Sequence, residues 1–111
     1  MLKSVNRLKK DSDFQNIFRT GKRVAGGSLV IFYLPNNLEA PRFGVTVSKK
    51  ISKKAVARNR IKRVLIAVVA DKVKTGELRR SNDLIIKVNK FIDEDVSKLK
   101  EDLVKCLEKL S

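Results

Sequence analysis

The stretch KKISKKAVARNRIKR, residues 49–63, carries eight Lys or Arg in fifteen positions, and no Asp or Glu occurs between Glu39 and Asp71. The eight are Lys49, Lys50, Lys53, Lys54, Arg58, Arg60, Lys62 and Arg63. Like charges repel, so a chain can fold around such a block only if the charges face solvent, and they are best neutralised there by a polyanion. The block also runs into a helical pattern from about residue 54 to 71. Ala57, Ile61, Val64, Leu65 and Val68 recur along one side, while Arg58, Asn59, Lys62 and Arg63 fall on the other, with Arg60 near the edge. A helix anchored by one side and cationic on the other is a shaped surface, not a loose basic arm.

The rest of the composition narrows the function classes. Formal net charge is +14. It is unevenly spread: residues 40–70 hold nine bases and no acid, whereas residues 93–111 hold four bases and six acids. The middle of the chain is therefore the expected binding surface and the C-terminal segment is not. There is one cysteine, Cys106, and no histidine. That excludes an intrachain disulfide, a Cys/His zinc site and any His-dependent catalytic unit. No apolar run reaches membrane-spanning length, and MLKSVNRLKK lacks the apolar core of a signal peptide. The expectation is a cytoplasmic protein of the reducing compartment with no membrane partner.

Periodicity divides the chain into seven elements. Ser12-Asp13-Phe14-Gln15 reads as a capping box opening a helix over 12–20, with Phe14, Ile17 and Phe18 on one face and Gly21 as its stop. A short strand over 22–25, a Gly26-Gly27 turn and a strand over 29–34 follow. Residues 42–48 alternate as a strand, with Phe43, Val45 and Val47 on one face and Arg42, Thr46 and Ser48 on the other. In the preceding strand Leu29, Ile31 and Tyr33 share a face, and Val30 and Phe32 share the opposite one. After the basic helix, residues 72–82 read as a loop or a short helical turn, 83–89 as strand, and 93–110 as an amphipathic helix with Val96, Leu99, Leu103, Leu107 and Leu110 in one row. The expected fold is α+β: a single domain over 1–111, order α-β-β-β-α-β-α, with a small central sheet packed by helices. The run VLIAVVA, 64–70, is apolar all round, so Ile66, Val69 and Ala70 need a cover. The last helix is the natural one.

The basic helix matches the electrostatic footprint of nucleic-acid binding. A membrane-surface or calmodulin-target helix would want bulky aromatics on its apolar side, and this one has none. Phe14, Phe18 and Phe32 taken singly read as core. Together with a strand face bearing Val30, Thr46 and Ser48, they could stack unpaired bases, worth about 1–3 kcal/mol each. Phe43, Tyr33 and Phe91 are assigned to the core, as is Cys106. Asp93, Glu94 and Asp95 resemble a metal cluster, but consecutive acids at a helix start are better read as capping and dipole charges.

RLKKDSDFQNIFRTGKRV (7–24), RFGVTVSKK (42–50) and ARNRIKR (57–63) together resemble the protein subunit of bacterial ribonuclease P. Arg58-Asn59-Arg60 followed by Ile61-Lys62-Arg63 is similar to that family's RNR signature, at its usual spacing after VSKK. The resemblance implies a small basic partner of a catalytic RNA that removes the 5′ leader from precursor tRNA. The RNA would hold the Mg2+ and the protein would hold neither metal nor cofactor. The implied partners are that RNA and precursor tRNA, with no obligate protein partner. Arg58, Asn59, Arg60, Lys62 and Arg63 carry over as RNA-contacting, and the charge of the block adds Lys49, Lys50, Lys53 and Lys54 to the expected RNA-binding residues. Phe14, Phe18, Val30 and Phe32 carry over as a leader cleft between the RNR helix and the sheet, joined by Thr46 and Ser48. Two positions depart from the pattern: Phe32, where the family often has Tyr, and Ile66, where it often has a further Arg. The alternatives are a ribosomal or generic RNA-binding module and a stand-alone nuclease. The nuclease would need acids beside the basic helix, and residues 40–70 contain none.

Overall fold

The computed structural model describes residues 6–38, 40–76, 82–90 and 96–110. Its elements are α1 (Asp11–Thr20), β1 (Lys22–Ala25), β2 (Leu29–Pro35), β3 (Arg42–Thr46), α2 (Ala55–Lys74), β4 (Asn82–Val88) and α3 (Val96–Leu110). The expected order and fold class are both found. The strands form one sheet in the order β1-β2-β4-β3. β1–β2 and β2–β4 are antiparallel, and β3–β4 is parallel through the α2 crossover. β4, the last strand made, thus lies inside the sheet.

Residues paired across neighbouring strands share a face, so the register assigns both faces. Leu29 pairs with Val88, Ile31 with Ile86, and Phe43 with Leu84. These form the larger core with Ile61, Leu65 and Val69 of α2 and Leu99, Leu103, Cys106 and Leu107 of α3. Each fully buried Leu or Ile contributes about 1.5–3 kcal/mol relative to exposure. The second face carries a smaller cluster of Leu8, Ile17 and Ile85, with Phe14, Phe32 and Leu34 packed against it under α1. Beyond β3, Arg7 forms a parallel bridge with Phe43, and the Leu8 N–H donates to the Phe43 carbonyl at 2.9 Å. The chain start thereby covers a sheet edge that would otherwise be open.

Three local expectations change. α1 starts at Asp11 with Lys10 as its cap and no side-chain capping bond, so Ser12 lies inside the first turn and closes no box. Asp11 and Asp13 complement the helix dipole instead. Gly21 does end the helix, its N–H bonding the Ile17 carbonyl at 2.9 Å, but in extended backbone (φ −75°, ψ 161°). The centre of α2's buried row is Ile61-Leu65-Val69, with Val64 and Val68 only half-buried. Val69 was expected on the far side. It is central because α2 is buried by the sheet and by α3 together, which widens its buried arc; Ile66, Ala70 and Val73 pack from its margin. α3 is in contact with α2, as expected, and within residues 64–70 only Ala67 is exposed. The acids 93–95 and Phe91 lie outside the described residues.

α3 rests directly on the Gly26-Gly27 turn. A Cβ at Gly26 would lie 2.1 Å from Cys106 Sγ, and Gly27 has φ +74°, so neither position accepts a side chain readily. Asp102 clamps the same turn, accepting from the Ser28 N–H at 3.0 Å and from the Ser28 hydroxyl. Burial alone would raise the Asp102 carboxyl pKa. The Ser28 bonds and Lys98, 3.3 Å away, outweigh it and hold the carboxyl below its ordinary value. Burial pushes the Cys106 thiol up, which leaves a packing residue, as expected.

Candidate nucleic-acid interface

The basic block occupies the turn after β3 and the outer side of α2. The Ser48 carbonyl accepts from the Ile51 N–H at 3.0 Å, which folds the turn. Arg58 then reaches back: its Nη1 donates to the carbonyls of Ser52 and Lys53, both at 3.0 Å. Arg58 was expected simply as an RNA contact. It also fixes the lysine turn, and a guanidinium with five N–H donors retains others for a phosphate. Because Ile61, Leu65 and Val69 face the core, Asn59, Arg60 and Arg63 are turned outward and exposed, with Lys62 half-buried beside them. Lys49, Lys50, Lys53 and Lys54 are exposed. Among the described residues none of these bases carries an ion pair. α2 also has no acid in its first turn and no side-chain cap at Lys54. Its positive end is therefore uncompensated, which adds to the attraction for phosphate.

Arg42, the remaining base of the acid-free segment, is spent internally. It grips Asp83 with Nε–Oδ1 at 2.7 Å and Nη2–Oδ2 at 2.6 Å, and lies 3.7 Å from Asp13. Asn36 donates to the same Asp83 at 2.9 Å. The Asp83 hydrogen bond outweighs desolvation and raises the guanidinium pKa further. The group ties β3 to β4 and α1 to both.

The aromatic residues gather on the second sheet face. Phe18 of α1 and Phe32 of β2 meet edge to face, with ring centres 4.9 Å apart and planes at 76°. Phe18 is 39% exposed and Phe32 half-buried, so the pair is open to solvent. Phe14 is different. A Cβ at Gly44 would fall 2.5 Å from its Cζ and 2.6 Å from its Cε1, so the edge of the ring presses against the glycine backbone and anchors α1 to the sheet. Val30 and Thr46 are half-buried on this face. Ser48 is exposed but lies past the end of β3, in the turn, and not on the strand. These aromatic residues lie between α1 and the sheet. The expectation had put the leader cleft between the RNR helix and the sheet, but α2 buries its apolar row against the opposite face. Two further cations lie on this face. Arg23 pairs in register with Phe32, and Lys87 pairs with both Val30 and Thr46; both are exposed. The only sequence signal for Lys87 is a lysine interrupting the apolar run LIIKV.

The family profile for Ribonuclease P matches residues 2–111. The chain belongs to the ribonuclease P protein family. It is 36% identical over 110 residues to a ribonuclease P protein component of Caldanaerobacter subterraneus, covering 98% of this chain and 92% of the relative. The solved Staphylococcus aureus RNase P protein superposes with a TM-score of 0.77 at 28% identity, over 96% of this chain and 95% of that one. The Thermotoga maritima RNase P protein, solved with 1-(4-fluorophenyl)-2-thiourea, gives 0.81 at 26% identity, over 95% and 100%. Membership in the ribonuclease P protein family supports the RNA-binding subunit role in tRNA 5′ processing, and the generic RNA-binding module is not favoured. Of the two departures from the family pattern, Ile66 packs against the main core. Among the described residues no group of three or more His, Cys, Asp or Glu could hold a metal ion, and no helix is long and apolar enough to cross a membrane.

Proposed function

We propose that this chain acts in the cytoplasm as the non-catalytic protein subunit of ribonuclease P, binding the catalytic RNA with one surface and the 5′ leader of precursor tRNA with another. The basic turn and α2, through Lys49, Lys50, Lys53, Lys54, Arg58, Asn59, Arg60, Lys62 and Arg63, hold the structured RNA. The α1–sheet groove, through Phe18, Phe32, Val30 and Thr46 with Phe14 beneath, holds the unpaired leader; Ser48 lies at its margin. The Mg2+ that hydrolysis requires belongs to the RNA. The observation that carries this reading is the solvent-open Phe18–Phe32 pair on a face separate from the basic ridge, whose bases have no ion pair among the described residues.

The two surfaces predict two phenotypes. Arg60→Ala or Arg63→Ala should weaken assembly with the catalytic RNA. Phe18→Ala or Phe32→Ala should weaken binding of precursor tRNA relative to mature tRNA, by about 1–3 kcal/mol for a lost stacked base. Folded Phe18 and Phe32 variants that bind both tRNAs like wild type would overturn the groove assignment.

A further inference from the structure

β4 is an interior strand, and along it only Lys87 is exposed. Its side chain reaches solvent beside α1, between the half-buried Val30 and Thr46, so among the described residues this part of the sheet face is open. The register shows its extent. One row runs Ala25–Val30–Lys87–Thr46, and the next runs Arg23–Phe32–Ile85–Gly44. In the second row Ile85 is buried beneath α1 and Gly44 beneath Phe14, while Arg23 and Phe32 stay accessible. Arg23 and Lys87 therefore flank the open aromatic from two sides. Sheet spacings put their Cα atoms about 12 Å apart.

Neither cation has an acidic partner among the described residues. The one acid of this face within the sheet, Asp83, is already engaged by Arg42 and Asn36. Solubility does not explain them: at a net charge of +14, each further cation adds self-repulsion. An exposed Arg on edge strand β1 is ordinary protection against strand pairing. A lone Lys between Val30 and Thr46 in the sheet interior is not. Single-strand grooves combine an aromatic platform for bases with cations that follow the backbone.

We propose that Arg23 and Lys87 are phosphate clamps for the single strand lying on this face, holding its backbone while Phe18 and Phe32 take a base. The contact would be independent of leader sequence. The inference rests on the leader reading above, and the test separates the two. Protein reconstituted with its catalytic RNA is titrated with precursor and with mature tRNA across a salt series. The variants are Lys87→Gln, Arg23→Gln and the double variant, with Phe18→Ala and Lys105→Gln of α3 as comparators. Each clamp substitution should lower precursor affinity about threefold to tenfold and leave mature tRNA unchanged. It should also make the log–log salt slope for precursor shallower by about 0.7, and the double variant by about 1.4. Lys105→Gln should change nothing. If Phe18→Ala lowers the precursor-to-mature ratio while folded Lys87→Gln and Arg23→Gln keep the wild-type ratio and slope, the clamps are refuted and the leader groove survives. An equal loss for both tRNAs in the clamp variants also refutes them, because the cations would then serve the catalytic RNA. A wild-type ratio in Phe18→Ala removes the groove and the clamps together.

Discussion

The salt dependence of catalytic-RNA binding tests the difference between a base that faces RNA and one that is neutralised within the fold. Lys53, Lys54, Arg58, Arg60, Lys62 and Arg63 lie on the turn and helix without ion pairs among the described residues, whereas Arg42 is held by Asp83 at 2.6 and 2.7 Å. If each of the six neutralises one phosphate, at about 0.7–0.9 of log–log slope per contact, wild type should show a slope of about −4 to −5. Arg60→Ala should flatten it by about one contact. Arg42→Ala should leave the slope alone and instead cost about 2–3 kcal/mol of stability, because it strands the buried Asp83. The assay is filter binding from about 0.1 to 0.4 M monovalent salt, paired with urea unfolding of each variant. A wild-type slope near zero, or equal flattening by Arg42→Ala and Arg60→Ala, would refute the argument.

Asp102→Ala should cost about 2–4 kcal/mol in urea unfolding, because the Ser28 N–H and hydroxyl lose a charged acceptor. Since the folded Asp102 pKa is depressed, its stabilisation is full above the unfolded carboxylate range near pH 4 and is lost as pH falls through the folded value; wild type and Asp102→Ala should converge in acid, and a constant difference down to pH 2 would contradict this. Gly44→Val should drive Phe14 off the sheet and lower the melting temperature, with leader discrimination falling more than affinity for the catalytic RNA; a wild-type melt would show that Phe14 is no anchor. Arg58→Lys keeps the charge but loses the planar fork, so RNA affinity should fall with an unchanged salt slope. Amide exchange at Ile51 should accelerate in that variant, and wild-type exchange there would deny Arg58 its hold on the turn.

Most of the fold was legible because its elements have clean periods. β2 and β3 alternate, α3 keeps one apolar row, and Gly26-Gly27 marks a turn that the structure uses as a seat for α3. What was misread depended on partners remote in sequence. Ser12 has capping chemistry, yet the chain path set by Leu8 on Phe43 starts the helix one residue sooner. The phase of α2 depends on two burying surfaces, and a single stripe cannot reveal the second. Of the site, the basic ridge was visible as uninterrupted charge. The internal use of Arg42 was not, since Asp83 lies 41 residues away. Lys87 is not legible as a site residue because alternation says which face a residue takes, not whether another element covers that face.

The interior position of β4 also bears on how the protein is made. β2 and β3 do not touch in the sheet; both pair with β4, whose residues 82–88 come late in the chain. A chain emerging from the ribosome displays the whole cationic helix before it has the strand that joins the two halves of the sheet. At that stage Ile61, Leu65 and Val69 lack Leu84, Ile86, Leu99 and Leu103, and Phe18 and Phe32 lack the Ile85 row beside them. Domains fold as units during synthesis, and a sheet closed by its last strand cannot close early. RNA met by the nascent chain therefore meets charge without shape, and selective assembly is expected to begin only after β4 has left the ribosome.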